Sequence, residues 1–219
     1  MPQPEAASPP DRREELASPE SFREALAEHL IGSADAENGA PAIRLQWIDS
    51  PLGGLVAAAH SEGIVLLEFA ERARLRKQVA TLRRHFGSPV ALRAEQRLHA
   101  LLDALREQLA EYFGGRRRDF TLPLAFPGTA FQQRLWQALL QIPYGETRSY
   151  QQLAQQLGDP AACRAVGTSN GLNRLAILVP CHRVVNKGGT LGGYAGALWR
   201  KQRLLALESS ASFALDGSR

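Results

Sequence analysis

The chain has 219 residues, of which 44% are hydrophobic, which is enough for the core of one large domain or two small ones. Its two cysteines exclude a disulfide framework and a cysteine-based zinc cluster, and no apolar run has the length of a membrane span. The net charge of +4 does not by itself indicate a nucleic-acid partner. The amino-terminal residues have neither a basic start nor an apolar run, so we expect a cytoplasmic protein that uses no membrane.

The first 42 residues are predicted to form a largely disordered extension that contains one short helix. Residues 1–18 are rich in Pro, Glu, Asp, Arg and Ser, a composition that buries too little apolar surface to fold. Ser18 followed by Pro19 is typical of a helix cap and a first helical turn. The apolar residues that would line one face of this helix are Phe22, Leu26 and Leu30.

A small α/β domain is predicted from residue 43 to residue 119. Alternating apolar and polar residues and turn signals indicate strands at 43–49, 55–60 and 64–69. Apolar spacing indicates helices at 74–86 and 94–113. The three histidines of this domain, at positions 60, 85 and 99, lie far apart in sequence and are predicted to be surface or structural residues.

A second domain is predicted from residue 120 to residue 210, followed by a flexible tail at 211–219. Its predicted helices are 129–141, 150–157 and 161–172. The last two flank a tight turn that contains Gly158, so they form a candidate helix-turn-helix with Arg164 near the start of the recognition helix. Helical hairpins are common, and this pattern alone does not establish DNA binding.

Basic side chains dominate the second domain. Residues 161–207 include no Asp or Glu, although acidic residues are plentiful earlier in the chain. A segment of one charge sign is typical of a surface that binds a polyanion, and a solvated basic face is the alternative. The basic residues of the segment are Arg164, Arg174, Arg183, Lys187, Arg200, Lys201 and Arg203.

The strongest candidate for chemistry is Cys181. It follows the apolar run 176–179, which should be buried, and it precedes His182. A thiol beside an imidazole is typical of nucleophilic catalysis, because the thiolate is the reactive form and a neighbouring base raises its population. Cys163 lacks this setting and is predicted to be inert packing.

Residues 180–184, with the sequence PCHRV, resemble the active-site signature of the DNA-protein-cysteine alkyltransferases that repair O6-alkylguanine, most closely those of the Ada C-terminal/Ogt type. The similarity is nearly complete from residue 129 to residue 208, and several spaced motifs in register are far more specific than one pentapeptide. The other matching segments are 131–140, 142–146, 149–154, 164–167 and 193–194. The resemblance implies an α+β fold: a ribonuclease H-like N-terminal α/β domain, followed by a mostly helical, winged-helix-like DNA-binding catalytic domain.

Two departures from the family pattern bear on the subfamily and on metals. Arg174 stands where the common form of the family has Pro, and with residues 175–177 it looks like the C-terminal half of Ada. The zinc-binding domain of Ada needs four cysteines that this chain lacks, and no cysteine matches the zinc ligands found in some other members. We therefore predict neither a metal nor a cofactor.

The resemblance implies a role for each residue around the thiol. Cys181 would be the nucleophile and the irreversible acceptor of the alkyl group. His182 would take the thiol proton through a water molecule, and Glu208 would orient His182. Asn173 would tie the recognition helix to the active-site loop. We expect the sulfur to lie exposed at the floor of a pocket sized for one base.

The family also extrudes the damaged base from the duplex, because the base cannot be reached inside it. Arg164 would fill the vacated position from the minor groove, and Tyr150 would displace the adjoining phosphate and donate a proton or a hydrogen bond to guanine. Tyr194 would wall the pocket, and the Val184 carbonyl would accept a hydrogen bond from the exocyclic amine. The further residues assigned to DNA contact are Ala165, Gly167 and Arg183.

The predicted function is therefore repair of double-stranded DNA by a monomeric methylated-DNA–[protein]-cysteine S-methyltransferase that acts once, moving the alkyl group of O6-alkylguanine to Cys181. Whether O4-alkylthymine is also a substrate stays open. One alternative is a thiol hydrolase, although adjacent residues such as Cys181 and His182 seldom form a hydrolase pair and no oxyanion motif is evident. The other is a non-catalytic helix-turn-helix protein that recognises damage or regulates transcription, against which the presence of Cys181 argues.

Overall fold

The computed structural model of the protein describes residues 16, 18–22, 24, 43–87, 90–91 and 96–216. A four-stranded sheet in the order β3-β2-β1-β4 organises the first part of the chain. The central pairs β1–β2 and β2–β3 are antiparallel, whereas the short β4 runs parallel to β1. The strands are β1 (Ile43–Ile48), β2 (Leu55–His60), β3 (Gly63–Phe69) and β4 (Val90–Ala91). The three long strands predicted from the sequence are confirmed to within one residue at each end.

Both faces of this sheet are covered, and for that reason every residue of β2 and β3 is buried. On one face α1 (Arg72–Phe86) packs its apolar residues, including Leu75 and Leu82, against Ile43 and Leu66. On the other face α2 (Gln96–Phe113) and the second domain share one continuous core. His60 is buried at the end of β2, with its ring centroid 4.2 Å from that of Phe86.

The described part of the amino-terminal extension packs on the sheet. Residues 19–22 are helical, and the Ser18 hydroxyl accepts a hydrogen bond from the Ser21 backbone N–H at 3.1 Å. Leu16 was predicted to be disordered, but its backbone N–H donates to the Ala70 carbonyl at 2.8 Å and its side chain is buried beside that of Phe22. Burial of the apolar Leu16 side chain thus stabilises this part of the extension against the sheet. Leu26 and Leu30 lie outside the described residues.

The second part of the chain is built from four helices: α3 (Ala130–Leu140), α4 (Tyr150–Gln156), α5 (Cys163–Gly171) and α6 (Leu198–Asp216). Reciprocal capping boxes begin α3 and α4, with Thr129 and Ser149 as the N-caps. The predicted pair of short helices is present as α4 and α5, and Gly158 in the turn between them adopts a φ of 85°. None of the described helices is long and apolar enough to cross a membrane.

Helix α6 continues to Asp216, beyond residue 211 where we predicted a flexible tail to begin. The stretch after Glu208 contains Ala, Ser, Phe and Leu but neither Gly nor Pro before Gly217, so nothing in it breaks the helix. The helix therefore includes residues 211–216 of the segment for which we predicted a flexible tail.

The free edge of β3 is covered by two segments of the second part of the chain. The Leu67 N–H donates to the Arg174 carbonyl and the Leu67 carbonyl accepts from the Ala176 N–H, both at 2.8 Å. Ile64 makes the same paired exchange with the backbone of residues 123 and 125, at 2.8 and 3.0 Å. The sheet thereby holds the segment that runs directly into Cys181.

A second, two-stranded sheet joins the start of α4 to the segment after Cys181. Its strands are β5 (Arg148–Ser149) and β6 (Val184–Val185), which pair in parallel. Strands of two residues carry no periodic signal, and neither was predicted. This ladder places Tyr150, the first residue of α4, beside the turn that carries the thiol.

Candidate active site

Cys181 begins a 3₁₀ turn, Cys181–Arg183, at the end of the buried apolar run that follows Asn173. The Sγ atom of Cys181 accepts a hydrogen bond from the Asn173 Nδ2 amide at 3.1 Å. Only 6% of Cys181 is exposed, and burial raises the pKa of its thiol to about 11 despite the hydrogen bond from Asn173. The thiol is therefore protonated at neutral pH and must lose its proton when it reacts.

The prediction that the sulfur lies exposed at the floor of a pocket was wrong, because the side chain is buried. The apolar run remains buried through Pro180 and into the 3₁₀ turn, so the thiol is nearly covered rather than open to solvent. A cavity of about 400 Å³ opens next to it, a volume suited to a small ligand. The residues that line the cavity are Tyr150, Gly167, Asn170, Gly171, Gly193, Tyr194 and Ala195.

The cavity walls lie close to Cys181. The Asn170 side-chain amide donates to the Cys181 carbonyl at 3.3 Å. Burial raises the pKa of Tyr150 and of Tyr194, and the neighbouring Cys181 adds to both shifts, so both phenols keep their protons at neutral pH. The structure thus places the two predicted tyrosines at one cavity beside the thiol.

Gly192 makes room for Tyr150 and was not singled out in the sequence. A Cβ at this position would lie 2.7 Å from the Tyr150 hydroxyl oxygen and from one of its ring carbons. The predicted small residue Gly167 approaches the other edge of the ring, where a Cβ would lie 3.9 Å away. The phenol is therefore held between two glycine-containing segments.

His182 is completely buried and points one ring nitrogen at Glu208. Nε2 lies 2.9 Å from Glu208 Oε1, whereas Nδ1 has no hydrogen-bond partner among the described residues. Burial lowers the pKa of His182, although the carboxylate opposes this shift, so the imidazole is neutral. With Nε2–H donating to the carboxylate, Nδ1 is the nitrogen that can accept a proton.

Glu208 is the centre of a buried polar network. Its carboxylate accepts hydrogen bonds from Tyr112 Oη at 2.8 Å, from Arg183 Nε and Nη2 at 2.8 and 2.9 Å, and from the Gly145 N–H at 3.3 Å. Burial alone would raise the pKa of Glu208, but the hydrogen bonds and charges of His182 and Arg183 outweigh it and lower the pKa to about 2. The carboxylate is therefore ionised throughout the physiological range.

Arg183 does not take the predicted role of a DNA contact. It is 7% exposed, and beyond its paired bonds to Glu208 it donates to the Ile142 carbonyl at 2.6 Å. A fully buried carboxylate needs a cationic partner, and Arg183 fills that need. The side chain is therefore unavailable to a phosphate.

The Val184 carbonyl, predicted to accept from the base, already receives the Lys201 ammonium group. Lys201 is fully buried and also donates to the Gly192 carbonyl at 3.3 Å. The sequence analysis placed Lys201 only in the basic segment. The spacing of Lys201, Leu204 and Glu208 was an available signal, because residues at i, i+3 and i+7 share one face of a helix. All three are fully buried in the structure.

Asn173, predicted to tie the recognition helix to the active-site loop, directly follows the end of α5 and hydrogen-bonds the backbone of that loop. Its Nδ2 donates to the Val179 carbonyl at 2.9 Å as well as to the thiol, and its Oδ1 accepts from the Leu175 N–H at 3.0 Å. A residue that the sequence did not reveal supports this turn: Arg74 donates to the Gly171 and Asn173 carbonyls at 3.2 and 3.4 Å. Arg74 is itself held by buried Glu68 at 2.6 Å.

The exposed basic surface is smaller than the basic segment suggested. Arg200 donates to the Leu52 carbonyl at 2.8 Å and half-buried Arg174 donates to the Pro127 carbonyl at 2.5 Å, so both face protein. Arg183 and Lys201 are buried as described above. The segment's exposed basic residues are Arg164, Lys187 and Arg203. Arg164 and Ala165 are both exposed at the start of α5, as a helix that meets DNA requires.

Two family models together match most of the chain. The DNA-binding domain of 6-O-methylguanine DNA methyltransferase matches residues 130–210, and the ribonuclease-like domain of the same family matches residues 43–126. Among curated proteins, the methylated-DNA–protein-cysteine methyltransferase of Mycobacterium leprae is 43% identical over 166 residues, which is 76% of this chain and 92% of that protein. The constitutive enzyme of Bacillus subtilis is 43% identical over 150 residues, covering 68% and 84% of the two chains.

Solved structures show the same relationship. The crystal structure of Mycobacterium tuberculosis OGT in complex with DNA is 40% identical, with a TM-score of 0.62, and the match covers 77% of this chain and 94% of that one. The O6-methylguanine-DNA methyltransferase of the archaeon Pyrococcus kodakaraensis is 24% identical with a TM-score of 0.51, over 76% of this chain and 98% of that one. The second similarity concerns the fold alone.

Proposed function

The chain belongs to the 6-O-methylguanine DNA methyltransferase family, and from this premise we propose that it repairs DNA by moving an alkyl group from O6 of guanine onto Cys181. The observation that carries the proposal is the state of His182. This imidazole is neutral, and its Nε2 is bound to Glu208, while Nδ1 has no hydrogen-bond partner in the part of the chain that the structure describes. The preceding residue in sequence, Cys181, carries a protonated thiol. DNA is the partner, and O6-alkylguanine within a duplex is the proposed target.

The proposed reaction is a displacement at carbon. The Cys181 thiol passes its proton through a water molecule to His182 Nδ1, and the imidazolium that forms is stabilised by Glu208. The thiolate attacks the alkyl carbon, a carbon–sulfur bond forms, and the bond from that carbon to O6 breaks with its electron pair going to guanine. The neutral Tyr150 phenol donates a hydrogen bond to the departing base, which improves the leaving group.

Each molecule is proposed to act once and as a monomer. The product is a thioether, in which the carbon–sulfur bond has no polarised carbonyl for water to attack. An imidazole and a carboxylate are suited to moving protons, and they offer no route for breaking such a bond. The alkylated protein is therefore the end point of the reaction rather than an intermediate.

The proposed function is tested by mixing the protein with duplex DNA that contains one O6-methylguanine, digesting the protein and weighing the peptide that carries Cys181. We expect one methyl group per protein molecule and no further reaction with excess DNA. Repeated turnover of an acyl substrate would instead support the thiol hydrolase. Tight binding of the damaged duplex without transfer would support a non-catalytic binding protein.

The exposed side chain of Arg164 is proposed to fill the space left by the extruded base. Arg164→Ala is expected to slow repair of duplex DNA by at least about tenfold and to change transfer from the free O6-alkylguanine base by less than about twofold, since only the duplex requires extrusion. Single-turnover rates on the two substrates measure this difference. Lys187→Ala, which removes an exposed charge elsewhere in the same basic segment, is the control. Equal slowing on both substrates would rule out the proposed role.

The pH dependence of transfer reports the proton acceptor. Burial lowers the pKa of His182 from its ordinary value of 6.5, so the imidazole stays neutral as the pH falls to 6.5. The rate of transfer from the free base should therefore hold down to pH 6.5 and decline only below it. The exposed His85 supplies the control, because His85→Ala should leave the profile unchanged. If hydroxide removed the proton instead, the rate would climb about tenfold with every pH unit through neutrality.

A further inference from the structure

A buried ion pair of the first domain reaches the backbone that carries Asn173. Glu68 lies in β3 with its side chain 2% exposed, and its Oε2 accepts a hydrogen bond from Arg74 Nε at 2.6 Å. The other end of the guanidinium crosses to the second domain, where Nη2 donates to the carbonyls of Gly171 and Asn173 at 3.2 and 3.4 Å. Arg74 thus links the sheet of one domain to the segment that leads to the thiol in the other.

The two carbonyls lie at the carboxyl end of α5, where the last backbone acceptors of a helix have no helical donors. The last turn of α5, all of which the structure describes, contains no basic residue. A cation at this end of a helix is favourable, because the helix dipole places partial negative charge there. Arg74 provides that cation from the other domain, and its planar fork lets it bind the carboxylate and the carbonyls at once.

Asn173 connects this link to the nucleophile. Its carbonyl accepts from Arg74, while its side-chain Nδ2 donates to Cys181 Sγ at 3.1 Å and to the Val179 carbonyl at 2.9 Å. A donor on sulfur stabilises the thiolate more than the neutral thiol, because the hydrogen bond to the anion is charge-assisted. The Asn173 amide accordingly lowers the pKa of the thiol, against the larger effect of burial. A shift of the Asn173 backbone would weaken this bond at the moment when the thiolate forms.

The charges of the ion pair act on the thiol in opposite directions. Glu68 raises the pKa of Cys181, whereas Arg74 lowers it. Two opposed charges give the thiolate little direct stabilisation, and a buried ion pair contributes little net stability to a fold. The contribution of the pair to the site is therefore one of position, and the backbone that it positions is that of Asn173.

We propose that Arg74, held by Glu68, is a positioning residue for alkyl transfer: it fixes the backbone of Asn173, so that the side-chain amide stays on the Cys181 sulfur while the thiolate forms and attacks. This role rests on the proposed function of Cys181. Through it the ribonuclease-like domain takes part in the reaction, although the attacking sulfur and the proton acceptor lie in the other domain.

A double-mutant cycle between Arg74 and Asn173 tests this role. Single-turnover transfer from the free O6-methylguanine base to Cys181 is measured, which leaves duplex binding out of the comparison. Arg74 is removed as Glu68→Gln/Arg74→Met, so that no carboxylate stays buried without a counter-charge. We expect this change to slow transfer by about tenfold when Asn173 is present and by less than about twofold in the Asn173→Ala background. Arg76→Met, at an exposed position of α1, is the control and should keep the wild-type rate.

The cycle separates positioning from a general effect on the fold. Equal slowing in both backgrounds would show an effect that bypasses Asn173, such as a loosening of the contact between the domains, and would overturn the role of Arg74. Unchanged transfer in the presence of Asn173 would overturn it as well. Arg74→Lys keeps the charge and loses the fork, and it replaces the double change if that protein does not fold. It should slow transfer by about threefold, with the same dependence on Asn173.

A second measurement does not depend on the proposed function. Iodoacetamide alkylates the Cys181 thiolate with release of iodide, and the mass of the peptide gives the rate. The Arg74 variants should react about fivefold more slowly than the wild type at the same pH, because the thiolate loses its amide hydrogen bond. A merely structural loosening would expose the buried thiol, and an unchanged or faster reaction would overturn the proposal. If the wild type takes no methyl group from O6-methylguanine, the alkyl transfer is refuted, while the reaction with iodoacetamide still decides the role of Arg74.

Discussion

Cys181→Ala is expected to abolish alkyl transfer completely and to leave the affinity for duplex DNA within about twofold of the wild type. The sulfur is the proposed nucleophile, so no other group can accept the alkyl group in its place. The side chain is nearly covered, is uncharged at neutral pH and is hydrogen-bonded by Asn173, so its loss changes no exposed charge. Peptide mass measures the transfer, and titration with a labelled duplex measures the affinity.

Cys163→Ala is the matched control, because it removes the only other cysteine of the chain. Cys163 is half-buried at the start of α5, where its Sγ lies 3.7 Å from the Pro160 carbonyl. This variant should transfer one methyl group at close to the wild-type rate. Methylation of the protein that persists in Cys181→Ala and disappears in Cys163→Ala would reverse the assignment of the nucleophile.

Glu208→Gln is expected to slow transfer by about a hundredfold or more and to lower the free energy of unfolding by about 3 kcal/mol. The amide cannot stabilise the imidazolium of His182, so proton removal from the thiol loses its driving force. It also leaves Arg183 buried without a counter-charge, in a network that holds Tyr112 and the Gly145 N–H as well. Single-turnover kinetics and urea unfolding measure the two effects separately.

The stability difference between the wild type and Glu208→Gln should depend on pH in one direction. The pKa of Glu208 falls from 4.5 to about 2 on folding, so the ionised carboxylate stabilises the fold fully above pH 4.5 and this contribution is lost as the pH falls through about 2. The difference should therefore be constant near neutrality and shrink in acid. Glu107→Gln, at an exposed position of α2, should change neither rate nor stability. Equal stability of Glu208→Gln and wild type at pH 7 would contradict the network.

The sequence was sufficient for the elements whose periodicity extends over five or more residues. Alternating apolar and polar residues identified β1, and apolar spacing identified α2 and α3. In such segments one face is buried, so apolar residues recur with the period of the strand or helix. The two-residue strands β5 and β6 and the 3₁₀ turn at Cys181 are too short to show such a period. These short elements nevertheless position the thiol beside Tyr150, so the local geometry of the site had to come from the structure.

The resemblance predicted the pairing of His182 with Glu208 across 26 residues of sequence, whereas nothing in the sequence indicated that Arg183 binds the same carboxylate. The side-chain amide of Asn173 hydrogen-bonds the Val179 carbonyl and the thiol. Arg183 follows His182 in sequence, yet the 3₁₀ turn directs it to Glu208, and no local pattern distinguishes a buried guanidinium from one that meets phosphate. Arg74 acts from the first domain, 97 residues from the carbonyl of Gly171 that it supports.

The backbone exchange at the edge of β3 limits how the chain could be divided in the laboratory. A fragment ending near residue 119 would expose Ile64 and Leu67 as unpaired strand positions, which is a template for aggregation between copies. The complementary fragment would keep Cys181 but lose the strand against which residues 174–176 are set. Truncation between residues 119 and 130 is thus a poor route to a minimal enzyme.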